Sequence, residues 1–142
     1  MQASLFRSIG AAVATEFRVY SNREEGNLSI FAPNVNIFRD GRWGRGQETA
    51  GEDPHLMSLY TVNYVRGMQE GEVGEASGGF AKTLTTCKHF AAYDLENYAP
   101  LNGTVYRQYF NAIVTDQDMA DTFLPPFRDC IVEGRGAAVM FP

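Results

Sequence analysis

The sequence predicts an α/β fold with a parallel sheet, and three observations lead there. Segments with helical apolar spacing alternate with short apolar runs of strand length, in the order α-β-α-β-α-β. No hairpin signal such as Asn-Gly lies between apolar runs at strand spacing, so neighbouring strands need crossovers, which the helices supply. Two polar loops, 36–53 and 91–106, each follow an apolar run. In a parallel β/α architecture that is the end of the sheet where ligands bind. The pattern alone fits both a closed β/α barrel and an open doubly wound sheet.

The elements follow in order. Residues 3–21 place Phe6, Ile9, Val13, Phe17 and Tyr20 at helical spacing, which predicts an amphipathic helix with these side chains as its apolar stripe. Ser21, Asn22 and Gly26 punctuate its end. Leu28 to Val35 reads as a buried strand that contains Pro33. Glu52 and Asp53 stand just ahead of Pro54, which suits the first turn of a helix. That helix runs through Leu56, Tyr60, Tyr64 and Met68, and Gly71 closes it. The small, polar stretch 71–79 is a loop, and Leu84 to Phe90 is a second buried strand. Thr115 and Asp118 form a variant of the capping box. The helix they open meets Pro125-Pro126, which must break or kink it. A further helical piece carries Phe127, Cys130 and Ile131 to Gly134, and Ala137 to Phe141 is a third strand.

Composition excludes several classes. A formal net charge of -5 argues against a nucleic-acid partner, because phosphate binding needs a basic surface. No apolar run approaches the about 20 residues that span a bilayer, so no membrane partner is expected. Arg7 and Glu16 interrupt the amino-terminal apolar stretch, which is therefore not a signal peptide. Cys87 and Cys130 are expected as two buried thiols. With only His55 and His89 beside them they make no zinc set, and no metal or other cofactor is expected.

The candidate site lies in the segment NVNIFRDGRWGRGQETAGEDP, Asn34 to Pro54, and around Lys88-His89. Arg and Gln donate to hydroxyl groups, Glu and Asp accept from them, and Trp offers a flat apolar face, so the segment suits a neutral polyhydroxylated ligand. Its glycines, from Gly41 to Gly46, have neither the dinucleotide nor the P-loop spacing. Position alone also allows blander roles. Arg45 has Glu48 and Glu52 as ion-pair partners nearby, Trp43 suits packing of the loop base, and Lys88-His89 suits a surface Lys beside a structural His.

RDGRWGRGQETAGEDP (39–54) resembles the signature of glycoside hydrolase family 3, in its β-xylosidase-like branch. Further matches follow in order: KHFAAYDLEN (88–97), RQYFNAIVTDQDM (107–119) and LPPFRDCIVEG (124–134). The resemblance covers about Ala3 to Met140. It implies a partial (β/α)8 barrel of the TIM type, with about three β/α units of parallel sheet in 1–142, and an internal piece of the family's catalytic barrel domain. A full barrel takes about 250 residues. It implies retaining hydrolysis of terminal β-linked xylose or related sugars, with an oligosaccharide or aryl glycoside as substrate and, as for many relatives, an extracellular location. Residue by residue, Arg45, Lys88 and His89 match positions that bind the sugar at the cleavage subsite, and Arg107 matches an Arg that closes it. Asp94 and Glu96 are expected to order the loop or its rim.

The family's nucleophile is an Asp on a later strand, and its acid/base comes from a later loop or domain. The resemblance thus implies no catalytic residue within 1–142, and Phe141-Pro142 stands where the family has a polar Ser-Tyr-Asn run. The competing readings are a non-catalytic sugar-binding module, a truncated product without function, and an unrelated α/β enzyme acting on a phosphorylated ligand.

Overall fold

The structure is a computed structural model that describes residues 2–75, 78–99, 103–109 and 111–142. Its elements are α1 (Ala3–Asn22), β1 (Ser29–Ile30), a 3-10 turn (Gly46–Glu48), α2 (Pro54–Glu70), β2 (Leu84–Lys88), β3 (Asn97–Tyr98), β4 (Val105–Tyr106), α3 (Asp116–Asp118), a π-helical turn (Met119–Phe123), α4 (Pro125–Val132) and β5 (Ala138–Met140). The expected α/β architecture is present. A three-stranded parallel sheet has the order β1-β2-β5, with Ile30 opposite Thr85 and Cys87 opposite Val139.

Strand β1 is shorter than the run Leu28 to Val35. Pro33 has no N–H to give to a ladder, and beyond β1 the chain meets β2 through a bond from the Thr86 N–H to the Ala32 carbonyl and a bridge from Asn34 to Lys88. The peptide bonds Ala32–Pro33, Lys88–His89 and Phe90–Ala91 are cis.

Helix α2 organises the packing. Asp53 caps its start by accepting from the backbone N–H groups of His55 and Leu56, and Pro54 sits where no N–H is needed. Gly71 ends it at φ 82, a conformation that disfavours residues with a Cβ. From its last turns Gln69 Oε1 accepts from the Thr85 backbone N–H and hydroxyl, at 3.2 and 2.7 Å. On the other side Arg66 donates to the Glu133 carbonyl and Gln69 to that of Arg135.

The buried stripe of α1 differs from the expected one. Ile9, Phe17 and Tyr20 are 43%, 40% and 56% exposed, and Gly10, Ala11 and Ala14 are buried instead. The cause is a close crossing of backbones. A Cβ on Gly10 would strike the Tyr64 carbonyl oxygen, and one on Gly67 the Arg7 carbonyl oxygen. Larger apolar side chains lie beside this seam, as Phe6 does edge-on to Tyr60 at 5.2 Å.

Two further expectations are corrected. The loop after β2 contains an antiparallel hairpin, β3–β4, with Tyr98 opposite Val105. The intervening sequence carries Asn102-Gly103, a hairpin dipeptide whose flanking apolar runs are too short to read as strands. Cys87 and Cys130 are not two thiols but one disulfide, joining β2 to α4 inside a cluster with Val35, Val65 and Phe127. Thr115 behaves as expected: it accepts from the Asp118 N–H at 3.0 Å. The chain then passes Pro125 through a π-helical turn rather than a break.

The disulfide closes a loop with a sequence separation of 43, which corresponds to about 4 kcal/mol on chain-entropy grounds. Reduction should therefore lower the unfolding free energy by about that amount. Urea unfolding with and without dithiothreitol measures it, and unchanged midpoints would show that the bond adds no stability.

Candidate functional site

All four expected site residues come together at the carboxyl ends of the parallel strands. Lys88 ends β2 and His89 follows it; Arg45 reaches across from the loop after β1, and Arg107 from just beyond β4. Tyr93 stands at their centre. Its hydroxyl accepts from Arg107 at 2.8 Å and from Arg45 at 3.4 Å. Its ring lies 5.1 Å from the Arg107 guanidinium carbon and 5.8 Å from that of Arg45. His89 and Trp43 pack edge-on to the same ring, at 5.1 and 5.2 Å.

Both arginines are paired with a carboxylate. Arg45 makes a bidentate fork with Glu48, Nε at 2.6 Å and a terminal nitrogen at 2.8 Å. The hydrogen bond from Arg45 holds Glu48 below the usual glutamate range, against the opposing effect of burial. Arg107 lies 3.6 Å from Glu96, which fits the expected loop-ordering role of that residue. Burial pushes the Asp94 carboxyl up.

His89 is 3% exposed and held by Asn36 through several bonds. The Asn36 side-chain oxygen accepts from the His89 backbone N–H at 2.9 Å and lies 3.2 Å from Nδ1, while its amide donates to the His89 carbonyl at 2.8 Å. Because an amide oxygen only accepts, Nδ1 carries the proton and Nε2 is the acceptor of the neutral ring. Nε2 faces Arg45 at 3.4 Å. Burial first, then the charges of Arg45 and Lys88, lower the His89 pKa to about 4, so the ring is neutral at neutral pH. The charge of Lys88 contributes to lowering the pKa of both His89 and Glu48.

Trp43 is 3% exposed, so it packs the loop base rather than offering a face to a ligand. Asn36 and Tyr93 are the participants that sequence reasoning missed. Asn34 and Asn36 alternate with Val35 and Ile37, and two amides recurring in an apolar run were the available signal. A cavity of about 290 Å³ lies beside Tyr93 and Arg107 and is also walled by Ala91, Ala92 and Gln108. Among the described residues no group of three or more His, Cys, Asp or Glu is arranged to hold a metal ion.

The arrangement thus presents cationic donors and one neutral imidazole acceptor around an aromatic post, a set suited to sugar hydroxyls. Comparison with known proteins shows the family. The family described as the glycosyl hydrolase family 3 N terminal domain matches residues 2–142, and the chain belongs to that family. Beta-D-xylosidase 3 of Arabidopsis thaliana is 51% identical over 137 residues, spanning 96% of this chain and 17% of that protein. Beta-xylosidase/alpha-L-arabinofuranosidase 2 of Medicago sativa subsp. varia is 47% identical over 138 residues, 97% of this chain and 17% of that protein. Among solved structures, the family 3 exo-beta-xylosidase XlnD in complex with a xylobiose aziridine probe superposes with a TM-score of 0.81 at 34% identity, over 97% of this chain and 17% of that one. The chain therefore spans less than a fifth of the length of these relatives, and its sheet and helices form part of the barrel fold of the family's amino-terminal domain.

Two expectations follow for the site. The His89 ring should titrate near pH 4 in the folded chain, against about 6.5 when unfolded. Between those values the unfolded chain binds a proton that the native state does not, so stability should fall as pH drops from 6.5 towards 4. NMR titration of the ring protons reads the midpoint directly; a value near 6.5 would contradict the burial and charge described here. Separately, Tyr93→Phe keeps the ring and removes an acceptor shared by two guanidiniums. It should lower stability by about 1–2 kcal/mol in denaturant unfolding, and no change would mean the two bonds contribute nothing.

Proposed function

We propose that this chain forms a wall of the glycone subsite of a retaining β-glycosidase that releases terminal β-linked xylose, or a related sugar, from plant cell-wall oligosaccharides. The convergence of Arg45, His89 and Arg107 on Tyr93, with Lys88 next to His89 at the end of β2, carries the reading. On this view 1–142 is an internal part of a larger catalytic barrel. Arg45 and Arg107 fork onto pairs of sugar hydroxyls, Lys88 donates to one, and the neutral His89 accepts at Nε2. A ring held from several sides can distort toward the oxocarbenium-like transition state without losing its place. The nucleophile and the acid/base carboxylates come from elsewhere in the enzyme, so 1–142 binds and orients sugar but does not cleave it.

Several observations support the assignment. The family is one of glycoside hydrolases, and two of its similar members are named β-xylosidases. One related enzyme has been solved with a xylobiose-derived probe. The disulfide between Cys87 and Cys130 supports an extracellular location, since such bonds persist in oxidising compartments. Among the described residues no helix is long and apolar enough to cross a membrane.

Titration of the chain with xylose and xylobiose, followed by NMR shifts of His89 and the Arg45 and Arg107 side chains, tests the reading. Saturable shifts are expected, with affinity weakened roughly tenfold or more by Arg45→Ala, the loss of one charged hydrogen bond. Absence of any saturable shift in the folded chain would refute the assignment of the site. Hydrolysis of an aryl xyloside by the pure chain, abolished by changing Asp94 or Glu96, would instead show that the chemistry is contained in 1–142.

A further inference from the structure

The chain contains two Asn-X-Ser/Thr sequences that the sugar-binding reading does not use, Asn27-Leu28-Ser29 and Asn102-Gly103-Thr104. Asn102 lies outside the described residues. Asn27 does not: it stands in the irregular connection between α1 and β1, and both it and Ser29 are exposed. We propose that Asn27 is an N-glycan acceptor.

The placement supports it in three ways. The central residue is Leu28 and not proline, so the segment can present the Asn amide and the Ser hydroxyl together to a transferase. Asn27 precedes β1, at the amino end of the parallel sheet, whereas Arg45, His89, Tyr93 and Arg107 lie beyond the carboxyl ends. A glycan there extends into solvent on the far side of the sheet from the candidate site and obstructs neither. Finally, the Cys87–Cys130 disulfide belongs to the oxidising compartments through which secreted chains pass, where N-glycan transfer also occurs.

The step is a group transfer. The Asn27 side-chain nitrogen attacks the anomeric carbon of an oligosaccharide carried on a polyprenyl pyrophosphate. The nitrogen–C1 bond forms, the C1–O bond to phosphate breaks, the polyprenyl pyrophosphate leaves, and the amide proton passes to a base of the transferase. In the folded protein Leu28 O already accepts from the Leu84 N–H at 2.8 Å, so transfer belongs to the translocating chain, before β1 pairs with β2.

Cell-free translation of the full chain, behind a heterologous secretory leader and into microsomes, tests this without requiring it to fold. In an Asn102→Gln background the protease-protected chain should show a mobility step for one glycan, removed by endoglycosidase H. Asn27→Gln and Ser29→Ala should each abolish it, and Ser29→Thr should keep it. Release with peptide N-glycosidase in H2-18O should leave labelled Asp at position 27. A protected chain without the step, or a step that survives Asn27→Gln, would overturn the proposal.

Discussion

Strand β2 is hydrogen-bonded along both edges, and its Thr85, Thr86 and Cys87 are buried, so the polar atoms it carries must find partners inside the protein. Most of the architecture answers that need. Its two parallel neighbours cannot be reached by tight turns, which forces helical crossovers. The helix supplied by the first crossover, α2, meets the threonine hydroxyls directly, through Gln69 for Thr85 and through the Met68 carbonyl for Thr83, just before the strand. A strand satisfied in this way has little freedom along its axis. Its carboxyl end, where Lys88 and His89 stand, inherits that rigidity.

Electrostatically the site is a collection of cations built around a group kept from becoming another. Arg45, Lys88 and Arg107 all surround His89, and two of them have carboxylate partners of their own. Burial and this positive field act in the same direction on the imidazole. The Asn36 amide then selects which nitrogen keeps the proton. One side chain thereby supplies an acceptor in surroundings otherwise rich in donors, and a ligand with several hydroxyls needs both kinds of partner.

Much of this was legible in the residues. Periodicity located α1, α2, α4 and the strands of the parallel sheet, and Asp53-Pro54 with Gly71 marked both ends of α2 to within a residue. The Arg45, Lys88 and His89 positions came from matched motifs rather than from spacing, because residues distant in sequence share no periodicity. What stayed hidden depended on pairwise distance. The bond between Cys87 and Cys130 needs β2 and α4 side by side, and sequence offers only two cysteines. The seam of Gly10 and Gly67 was invisible to a search for large apolar residues, because two backbones that nearly touch leave space only for small ones. Tyr93 read as one more aromatic in a polar loop, since its importance lies in bridging segments of chain far apart in sequence.

The covalent ring from Cys87 to Cys130 encloses the whole excursion from β2 to α4, including the β3–β4 hairpin. Both ends of that excursion are moored, and Arg107 is tied back to Tyr93 partway along it. Extra residues inserted at the hairpin tip would therefore leave the anchors where they are. The entropic cost of such an insertion grows only with the logarithm of loop length, about 0.6 kcal/mol for each doubling. This stretch is consequently where related scaffolds can change length and reach cheaply, reshaping the rim beside Arg107 and Tyr93 while Arg45 and His89 keep their positions.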